Sequence, residues 1–407
     1  MPTIRTANIE SSRTPNRSNP PKIFLDMKHW TKIDLAACDR DFRLDFARGI
    51  AIWFLFLDHI PHNAVSQLTI RNFGFSGATD LFVFAAGYTA ALFYGRMMIE
   101  RGLVVAATRI FKRVWQLYAT YVVLFVIYVD TISYVAAQYA APEIIGDFNV
   151  SGIIDHPIRI LIHGLLLQAK PLNLDVLQLF IVLMASFPLV LWGMFRWPNL
   201  TMITSLALYV AAREFDWNLA SFPDGRWYFN PFCWQLLFVL GIWCALVGAR
   251  LARSVQNLPL LRIAAVAYLL FALVITIAGR SPALASFIPD GLIASFVPND
   301  KENLAPFRVL HLLALAFMFT RLVPSNSDRF GWKVLQPVLI CGEEWLAAFC
   351  AGVFLSFAGH LFLITGPNSL AMQVFVSAAG ISIMTCVAYY VSWSKRQDYK
   401  PVLGARS

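Results

Sequence analysis

Long apolar runs recur along most of the chain, and short polar segments separate them. About 20 apolar residues are enough for a helix to cross the hydrocarbon core of a bilayer. The pattern therefore predicts an all-α polytopic membrane protein with about ten transmembrane helices. The predicted spans lie at about residues 46–63, 76–95, 114–138, 174–195, 199–213, 232–250, 261–279, 307–322, 337–362 and 370–393.

The lysines and arginines indicate how these spans are oriented. If the N-terminus is cytoplasmic, most of the 33 basic residues fall on cytoplasmic segments, which is the distribution that the positive-inside rule describes. Both termini are therefore predicted to be cytoplasmic. We expect three parts: a disordered basic tail over 1–40 without a cleavable signal peptide, a transmembrane domain over 41–394, and a second cytoplasmic tail over 395–407.

The composition agrees with a membrane location. Of the 407 residues, 58% are hydrophobic and 14% are charged, and the mean hydropathy is +0.60, which is more apolar than a soluble domain of this length. The formal net charge of +9 does not indicate nucleic-acid binding, because the basic residues lie between apolar runs and form no patch on a soluble domain. The six cysteines form no CxxC pair, so neither a metal site nor a disulfide framework is expected.

One stretch, DFRLDFARGIAIWFLFLDHIPHN at residues 41–63, combines ionisable groups with an unbroken apolar run. In a continuous helix, Arg48 and His59 share a face and lie about 16 Å apart along the axis. Ionisable groups in a span usually have a functional reason, although a basic anchor and an interfacial histidine would give the same pattern. His62 would face the same side as His59, whereas Asp58 would point about 100° away.

Asp80 opens the second predicted span, in the segment GATDLFVFAAGY. A histidine base needs an orienting carboxylate, and one from another helix suits His59 better than the adjacent Asp58 does. Asp80 is therefore a candidate member of the catalytic group. Alternatively, Asp80 caps the N-terminus of its own helix, where a negative charge is favourable.

Arg109, Lys112 and Arg113 recur at helical spacing and predict a basic face at the cytoplasmic membrane surface. Membrane anchoring explains most such clusters. Together with Arg48, however, these residues could bind the phosphates of a nucleotide-bearing donor through charge-assisted hydrogen bonds.

Two segments on the predicted outer side carry further candidates. Lys301, Arg308 and His311 could together hold a carboxylate, although interfacial snorkelling gives the same pattern. Trp227 and Trp234 belong to DWNLASFPDGRWYFNPFCWQ, which is dense in aromatic residues. Such rings are typical of an interfacial belt and of a platform on which sugar rings stack, and one segment can serve as both. These five residues are the candidates for contact with a substrate carboxylate or with the acceptor.

Several of these segments together resemble a known family. Arg48 and His59 match the R-x10-H pattern of the membrane-bound acyltransferases of the acyltransferase-3 type, and DLFVFAAGY and RIFKR are similar to the motifs that follow it there. From about residue 40 to 393, the chain more closely resembles the OpgC branch, the succinyltransferases of osmoregulated periplasmic glucans. The similar segments are DFRLDFARG, LDHIPHN, PLNLDVLQLFIVLM, FNPFCWQLLF, KENLAPFRVLHLLALAF and CGEEW. Ala86 stands where the wider family has a serine, and no appended esterase-like domain is expected; both features suit the OpgC branch.

The resemblance implies an acyl-CoA-dependent O-acyltransferase of the bacterial inner membrane. It implies that His59 is the essential catalytic residue and that Arg48 lies at the acyl-CoA end of the path, with Asp80 and the basic group after the second span in support. The expected reaction moves a succinyl group from cytoplasmic succinyl-CoA to hydroxyls of a periplasmic glucan, without a metal. The expected partners are the lipid bilayer, the glucan and acyl-CoA, with nucleic acid excluded and an oligomer left open.

Two other classes of function remain. A transporter of an anionic or glycan-linked solute would also line its path with ionisable residues, but the paired half-repeats typical of transporters are not evident. A structural partner in glucan export would explain the hydropathy but not Arg48 and His59 on one face. Glucan made without acyl substituents in a deletion strain would favour the enzyme, and loss of glucan from the periplasm would favour transport.

Overall fold

The computed structural model describes residues 41–138, 157–169, 173–222, 224–248, 258–324, 328–367 and 369–398. The N-terminal tail predicted over 1–40 and the last nine residues, 399–407, lie outside this part of the chain. The described residues are helical, with no strand beyond two isolated backbone bridges, Ala169 with Phe222 and Ala220 with Arg226. The prediction of an all-α fold is therefore confirmed.

Twelve α-helices of eight or more residues occur in the described chain. They are α1 (Phe42–Asp58), α2 (Ala78–Arg101), α3 (Leu103–Gln138), α4 (Pro157–Leu165), α5 (Asp175–Arg196), α6 (Pro198–Glu214), α7 (Pro231–Trp243), α8 (Pro259–Ala278), α9 (Pro306–Leu322), α10 (Gln336–Glu343), α11 (Trp345–Thr365) and α12 (Leu370–Asp398). A π-helical turn, Cys244–Gly248, extends α7, and two 3-10 turns, Ala64–Leu68 and Ile70–Asn72, lie between α1 and α2.

Seven of the described helices are long and apolar enough to cross a membrane: α2, α3, α5, α7 with its π-helical extension, α8, α11 and α12. The three remaining predicted spans fall on α1, α6 and α9, each 17 residues long. The span predicted at 337–362 covers both α10 and α11. Each predicted span thus coincides with helix in the structure. The protein is a multi-pass helical membrane protein.

The first span ends earlier than predicted. α1 stops at Asp58, and His59 caps it, with its backbone N–H donating to the carbonyls of Leu55 and Phe56 at 3.1 and 3.2 Å. The cause is Pro61, because a proline disfavours helical geometry at the residue before it. His62 then has a positive φ of 59°, so it does not continue the helical face that leads to His59.

Two further boundaries differ from the predicted ones. α3 is 36 residues long and begins at Leu103, so the basic stretch RIFKR lies within this helix and not in a connecting segment. The prediction of one continuous helix over 337–362 is wrong. α10 and α11 are separate, because Glu344 leaves helical geometry with φ −99° and ψ 40°.

Prolines mark where several helices begin. Pro198, Pro231, Pro259 and Pro306 are the first residues of α6, α7, α8 and α9. A proline at this position loses no hydrogen bond, because the first N–H groups of a helix have no intrahelical partner. At the start of α7, the side chain of Asn230 also accepts a hydrogen bond from the backbone N–H of Phe232 at 3.1 Å, as an N-cap residue does.

Glycines bring two helix pairs into direct backbone contact. Where α1 crosses α10, a methyl group added at Gly342 would overlap the carbonyl oxygen of Asp45. Where α2 crosses α7, one added at Gly87 would overlap the carbonyl oxygen of Phe238. Small residues at such crossings let membrane helices approach closely. The first crossing lies beside the turn of α1 that carries Arg48.

Gly87→Ala tests the crossing of α2 and α7. The added methyl has no room against the α7 backbone, so we expect a loss of roughly 1–3 kcal/mol of stability, although alanine is the better helix former by about 1 kcal/mol. Gly291→Ala is the matched control, because Gly291 is also helical and nothing lies within 4 Å of an added methyl there. Thermal unfolding in detergent measures both. A Gly87→Ala protein that melts with the wild type would contradict the close crossing.

Candidate active site

His59 lies at one end of α1, directly after its last residue. Its imidazole is half-buried and makes no hydrogen bond to any residue that the structure describes. The charges that act on it are those of Lys301 and Arg71. Neighbouring positive charge favours the neutral imidazole, the form that can accept a proton. The described protein therefore leaves the His59 imidazole without a hydrogen-bond partner.

Asp58, next to His59 in the chain, is bonded to other groups. Its carboxylate accepts a hydrogen bond from Thr69 Oγ1 at 2.7 Å and lies 3.1 Å from Nε of Arg71. Both partners belong to the segment between α1 and α2, which is also hydrogen-bonded to α12. Asp58 thus fastens this segment to the end of α1.

Asp80 and Arg308 form a buried ion pair between α2 and α9. Nε and Nη2 of Arg308 donate to the two carboxylate oxygens of Asp80 at 3.2 and 2.6 Å. The Arg308 side chain is 4% exposed and the Asp80 side chain is fully buried. Asp80 also accepts a hydrogen bond from the backbone N–H of Gly77 at 2.8 Å. Asp80 therefore caps α2, the alternative that the sequence left open, and it pairs with Arg308 as well.

Arg308 and His311 are both engaged by protein groups. The third nitrogen of Arg308, Nη1, donates to Oδ1 of Asn299 at 2.9 Å. Nδ1 of His311 accepts a hydrogen bond from the backbone N–H of Ser76 at 3.3 Å and lies 2.7 Å from the Ser76 hydroxyl. Both side chains therefore already have hydrogen-bond partners within the protein.

Lys301 lies in the loop before α9 and is half-buried. Its ammonium lies 5.4 Å from the ring centre of Tyr228 and 5.1 Å from that of Phe229, within the range of cation–π attraction. Burial and the positive charge of Arg308 lower the pKa of Lys301, while the carboxylates of Asp175, Asp80 and Asp58 oppose this shift. Of the predicted trio, Lys301 is the residue whose charge acts on His59.

The two tryptophans predicted to meet the acceptor are buried. Trp227 is 5% exposed and Trp234 is fully buried. The indole N–H of Trp234 donates to the carbonyls of Lys301 and Glu302, each at 3.1 Å. Trp234 therefore holds the loop before α9, and the faces of both rings are not accessible to a sugar.

At the other end of α1, Arg48 pairs with Asp45 one turn earlier, at 2.5 Å. The side chains are 12% and 8% exposed. Nε of Arg48 is buried and has no hydrogen-bond partner in the described chain. The guanidinium therefore has one donor that no described residue satisfies.

The predicted basic group lies on α3, and its members differ in burial. Arg109 and Lys112 are exposed, whereas Arg113 is half-buried with its guanidinium 5.5 Å from the ring centre of Trp345. Trp345 is the first residue of α11, so Arg113 lies at the break between α10 and α11. The structure thus places one of the three cations against the helix bundle and two on its surface.

A family model described as OpgC protein matches residues 40–396. The chain belongs to the OpgC family. The match covers every candidate residue named above and confirms the resemblance seen in the sequence segments. Membership implies a part in the succinylation of osmoregulated periplasmic glucans and suggests succinyltransferase activity. No curated protein and no solved structure matches the chain.

Several neighbours of the site in this OpgC family member escaped the sequence analysis. Tyr228 and Phe229 pack against the Lys301 ammonium, and Asp175, the first residue of α5, acts on it electrostatically. Asn299 binds Arg308. One signal did exist, because Asp175 lies in PLNLDVLQLF, a segment that resembles the family. Among the described residues, no three His, Cys, Asp or Glu side chains are grouped to hold a metal ion.

Asp80→Asn tests whether the ion pair holds this part of the bundle together. The amide keeps the size of the side chain but leaves the Arg308 guanidinium buried without its counter-charge, a change that typically costs about 3–5 kcal/mol. Glu100→Gln is the matched control, because Glu100 pairs with Arg96 on the exposed surface, where a pair contributes about 0–1 kcal/mol. Thermal unfolding in detergent is the measurement. Similar melting of the two variants would contradict a structural role for the pair.

Proposed function

We propose that this protein is an inner-membrane O-acyltransferase that moves a succinyl group from cytoplasmic acyl-CoA to hydroxyls of periplasmic glucans. The observation that carries the proposal is the contrast between the two ends of α1. One end carries the His59 imidazole, which makes no hydrogen bond in the described chain, and the other carries Arg48 with an unused donor. OpgC family membership supports the succinyl group and the glucan acceptor.

The proposal includes ten membrane crossings with both termini in the cytoplasm. At 17 residues, α1, α6 and α9 would each be about 25 Å long, within the range of transmembrane helices. α10 and α11 together would form one crossing. Arg48 would then lie towards the cytoplasm and His59 towards the periplasm, an orientation that the positive-inside rule supports.

The donor would enter from the cytoplasmic side. Arg48 and Arg113, with Arg109 and Lys112 on the surface, would hold the phosphates of acyl-CoA through charge-assisted hydrogen bonds. The axial distance from Arg48 to His59, about 16 Å for eleven residues, is similar to the reach of a pantetheine arm. The thioester could therefore meet His59 while the nucleotide stays on the cytoplasmic side.

A thioester is already activated, so the enzyme needs a base for the sugar hydroxyl and positive charge near the developing oxyanion. His59 would take the hydroxyl proton as the oxygen attacks the thioester carbonyl carbon. The carbon–sulfur bond then breaks, and CoA leaves as the thiol with the proton that His59 returns. Transfer through an acyl-histidine is the second chemical route. In both routes Asp58 and Asp80 would act indirectly, by holding the segments around His59.

The glucan would approach from the periplasmic side. The exposed rings there include those of Phe215 and Trp217, which stack with centroids 5.7 Å apart, and that of Tyr228. Aromatic faces of this kind can stack on the apolar faces of sugars. The buried Trp227 and Trp234 would shape this surface and would not touch the sugar.

The second candidate function is transport of an anionic or glycan-linked solute. The helix break at Glu344 favours it, because broken helices with ionisable residues often form the binding sites of transporters. The Glu344 carboxylate is buried and pairs with Lys395 at 2.5 Å. Chemical analysis of a deletion strain separates the two functions: periplasmic glucan without succinyl groups supports the transferase, and absence of periplasmic glucan supports transport.

His59→Ala tests the catalytic assignment. With succinyl-CoA, acetyl-CoA and periplasmic glucan, the variant in nanodiscs should lose transfer by at least roughly 100-fold, because general base catalysis contributes about that much. Free thiol and glucan mass measure the loss. His163→Ala should keep the activity, because His163 stacks on Phe222 and contacts Gln168. Full glucan acylation by His59→Ala would refute the catalytic assignment. Transfer of acetyl groups but not succinyl groups by the wild type would refute the succinyl donor.

Arg48→Gln tests the donor end of the path. One charge-assisted hydrogen bond contributes about 1.5–3 kcal/mol, so the KM for succinyl-CoA should rise roughly tenfold or more. The KM for S-succinylpantetheine, which lacks the nucleotide, should stay unchanged. Arg96→Gln, at an exposed arginine that pairs with Glu100, is the control. An equal rise for both donors would show that Arg48 does not bind the nucleotide end.

A further inference from the structure

Lys301 is a half-buried cation without a bonded counter-ion. Its ammonium packs against the rings of Tyr228 and Phe229, and within the described chain no carboxylate lies within 4 Å of it. An ammonium that has lost water without gaining a bonded anion is unfavourable. Such a group is therefore suited to an anionic ligand.

The backbone around Lys301 is held firmly in place. The Trp234 indole donates to the carbonyls of Lys301 and Glu302, and Nη1 of Arg213 donates to the carbonyl of Asn303 at 2.8 Å. These two donors come from α7 and α6. The folded helices thus fix where the Lys301 side chain begins, as a binding site requires.

Neighbouring charges have partners of their own. Two ion pairs are complete, Asp58 with Arg71 and Asp80 with Arg308. The carboxylate of Asp175 accepts a hydrogen bond from the backbone N–H of Val176 at 2.9 Å and acts on Lys301 only from a distance. Of the three cations that the sequence offers for a carboxylate, only the Lys301 side chain makes no hydrogen bond to any residue of the described chain.

A carboxylate ligand would also change the electrostatics of this amine. Burial and Arg308 lower the pKa of Lys301, and an adjacent carboxylate would offset both effects, because an opposite charge favours the protonated amine. In a succinyl thioester, two methylene groups separate the free carboxylate from the reacting carbonyl. The charge of Lys301 acts on His59 and on the adjacent Asp58, the two residues at the end of α1.

We infer that Lys301 binds the free carboxylate of the succinyl donor while the thioester carbonyl lies at His59, and that Lys301 thereby selects a dicarboxylic acyl group over an uncharged one. This inference rests on the proposed function and gives it a specificity-determining residue. Arg308 and His311 then hold the surrounding loops and do not contact the acyl group.

The test compares succinyl-CoA with butyryl-CoA, which has the same chain length without the charge. We expect Lys301→Gln, as the full chain in nanodiscs, to lower the ratio of kcat/KM for succinyl-CoA to kcat/KM for butyryl-CoA at least tenfold. Lys301→Arg should restore part of the preference. Arg71→Gln is the matched control, because Arg71 also acts on His59 but already pairs with Asp58; it should affect both donors equally.

Equal losses of kcat/KM for the two donors in Lys301→Gln would overturn the inference. They would show that Lys301 stabilises the oxyanion or the fold and does not bind the free carboxylate. An unchanged succinyl preference would overturn it as well. Equilibrium binding of both donors provides a readout that does not depend on turnover: the wild type should prefer succinyl-CoA, and Lys301→Gln should lose that preference. If the wild type binds succinyl-CoA but transfers nothing to glucan, the proposed reaction fails while the carboxylate site stands.

Discussion

The buried ion pair between Asp80 and Arg308 is the constraint on which the His59 end of the protein depends. Removing two charges from water is costly, and only well-formed hydrogen bonds offset the cost. Asp80 also caps α2, and Arg308 also binds Asn299. The pair therefore fixes the start of α2, the start of α9 and the loop before α9 in one arrangement, and this loop carries Lys301.

Hydrogen bonding separates the residues that hold the fold from those that remain available for chemistry. Asp58, Arg308 and His311 are ionisable residues near the site, and each is bonded to protein groups that fasten loops. His59 has no such partner in the described chain, and the Lys301 ammonium contacts only aromatic rings there. The two groups that carry the proposed chemistry are thus those that the described protein leaves without hydrogen bonds.

Hydropathy predicted the helical fold and where its helices lie, because a bilayer demands long apolar runs that are visible in one sequence. Hydropathy did not predict the break between α10 and α11, because the residues around Glu344 belong to a long and mostly apolar stretch. It also could not reveal contacts such as Asp80 with Arg308, which join residues 228 positions apart. For the same reason Trp234 was expected on the surface, although packing between helices buries it.

The close helix crossings bear on the choice between transferase and transporter. At Gly342 and Gly87 the backbones of two helix pairs touch, and α10, one half of the broken helix, takes part in the first of these contacts. Alternating access requires whole helices to move against each other around a central site, and tightly packed crossings resist such sliding. A transferase needs less movement of the protein, because the flexible pantetheine arm of the donor can carry the acyl group through a fixed bundle. The packing around α1 therefore favours the enzyme.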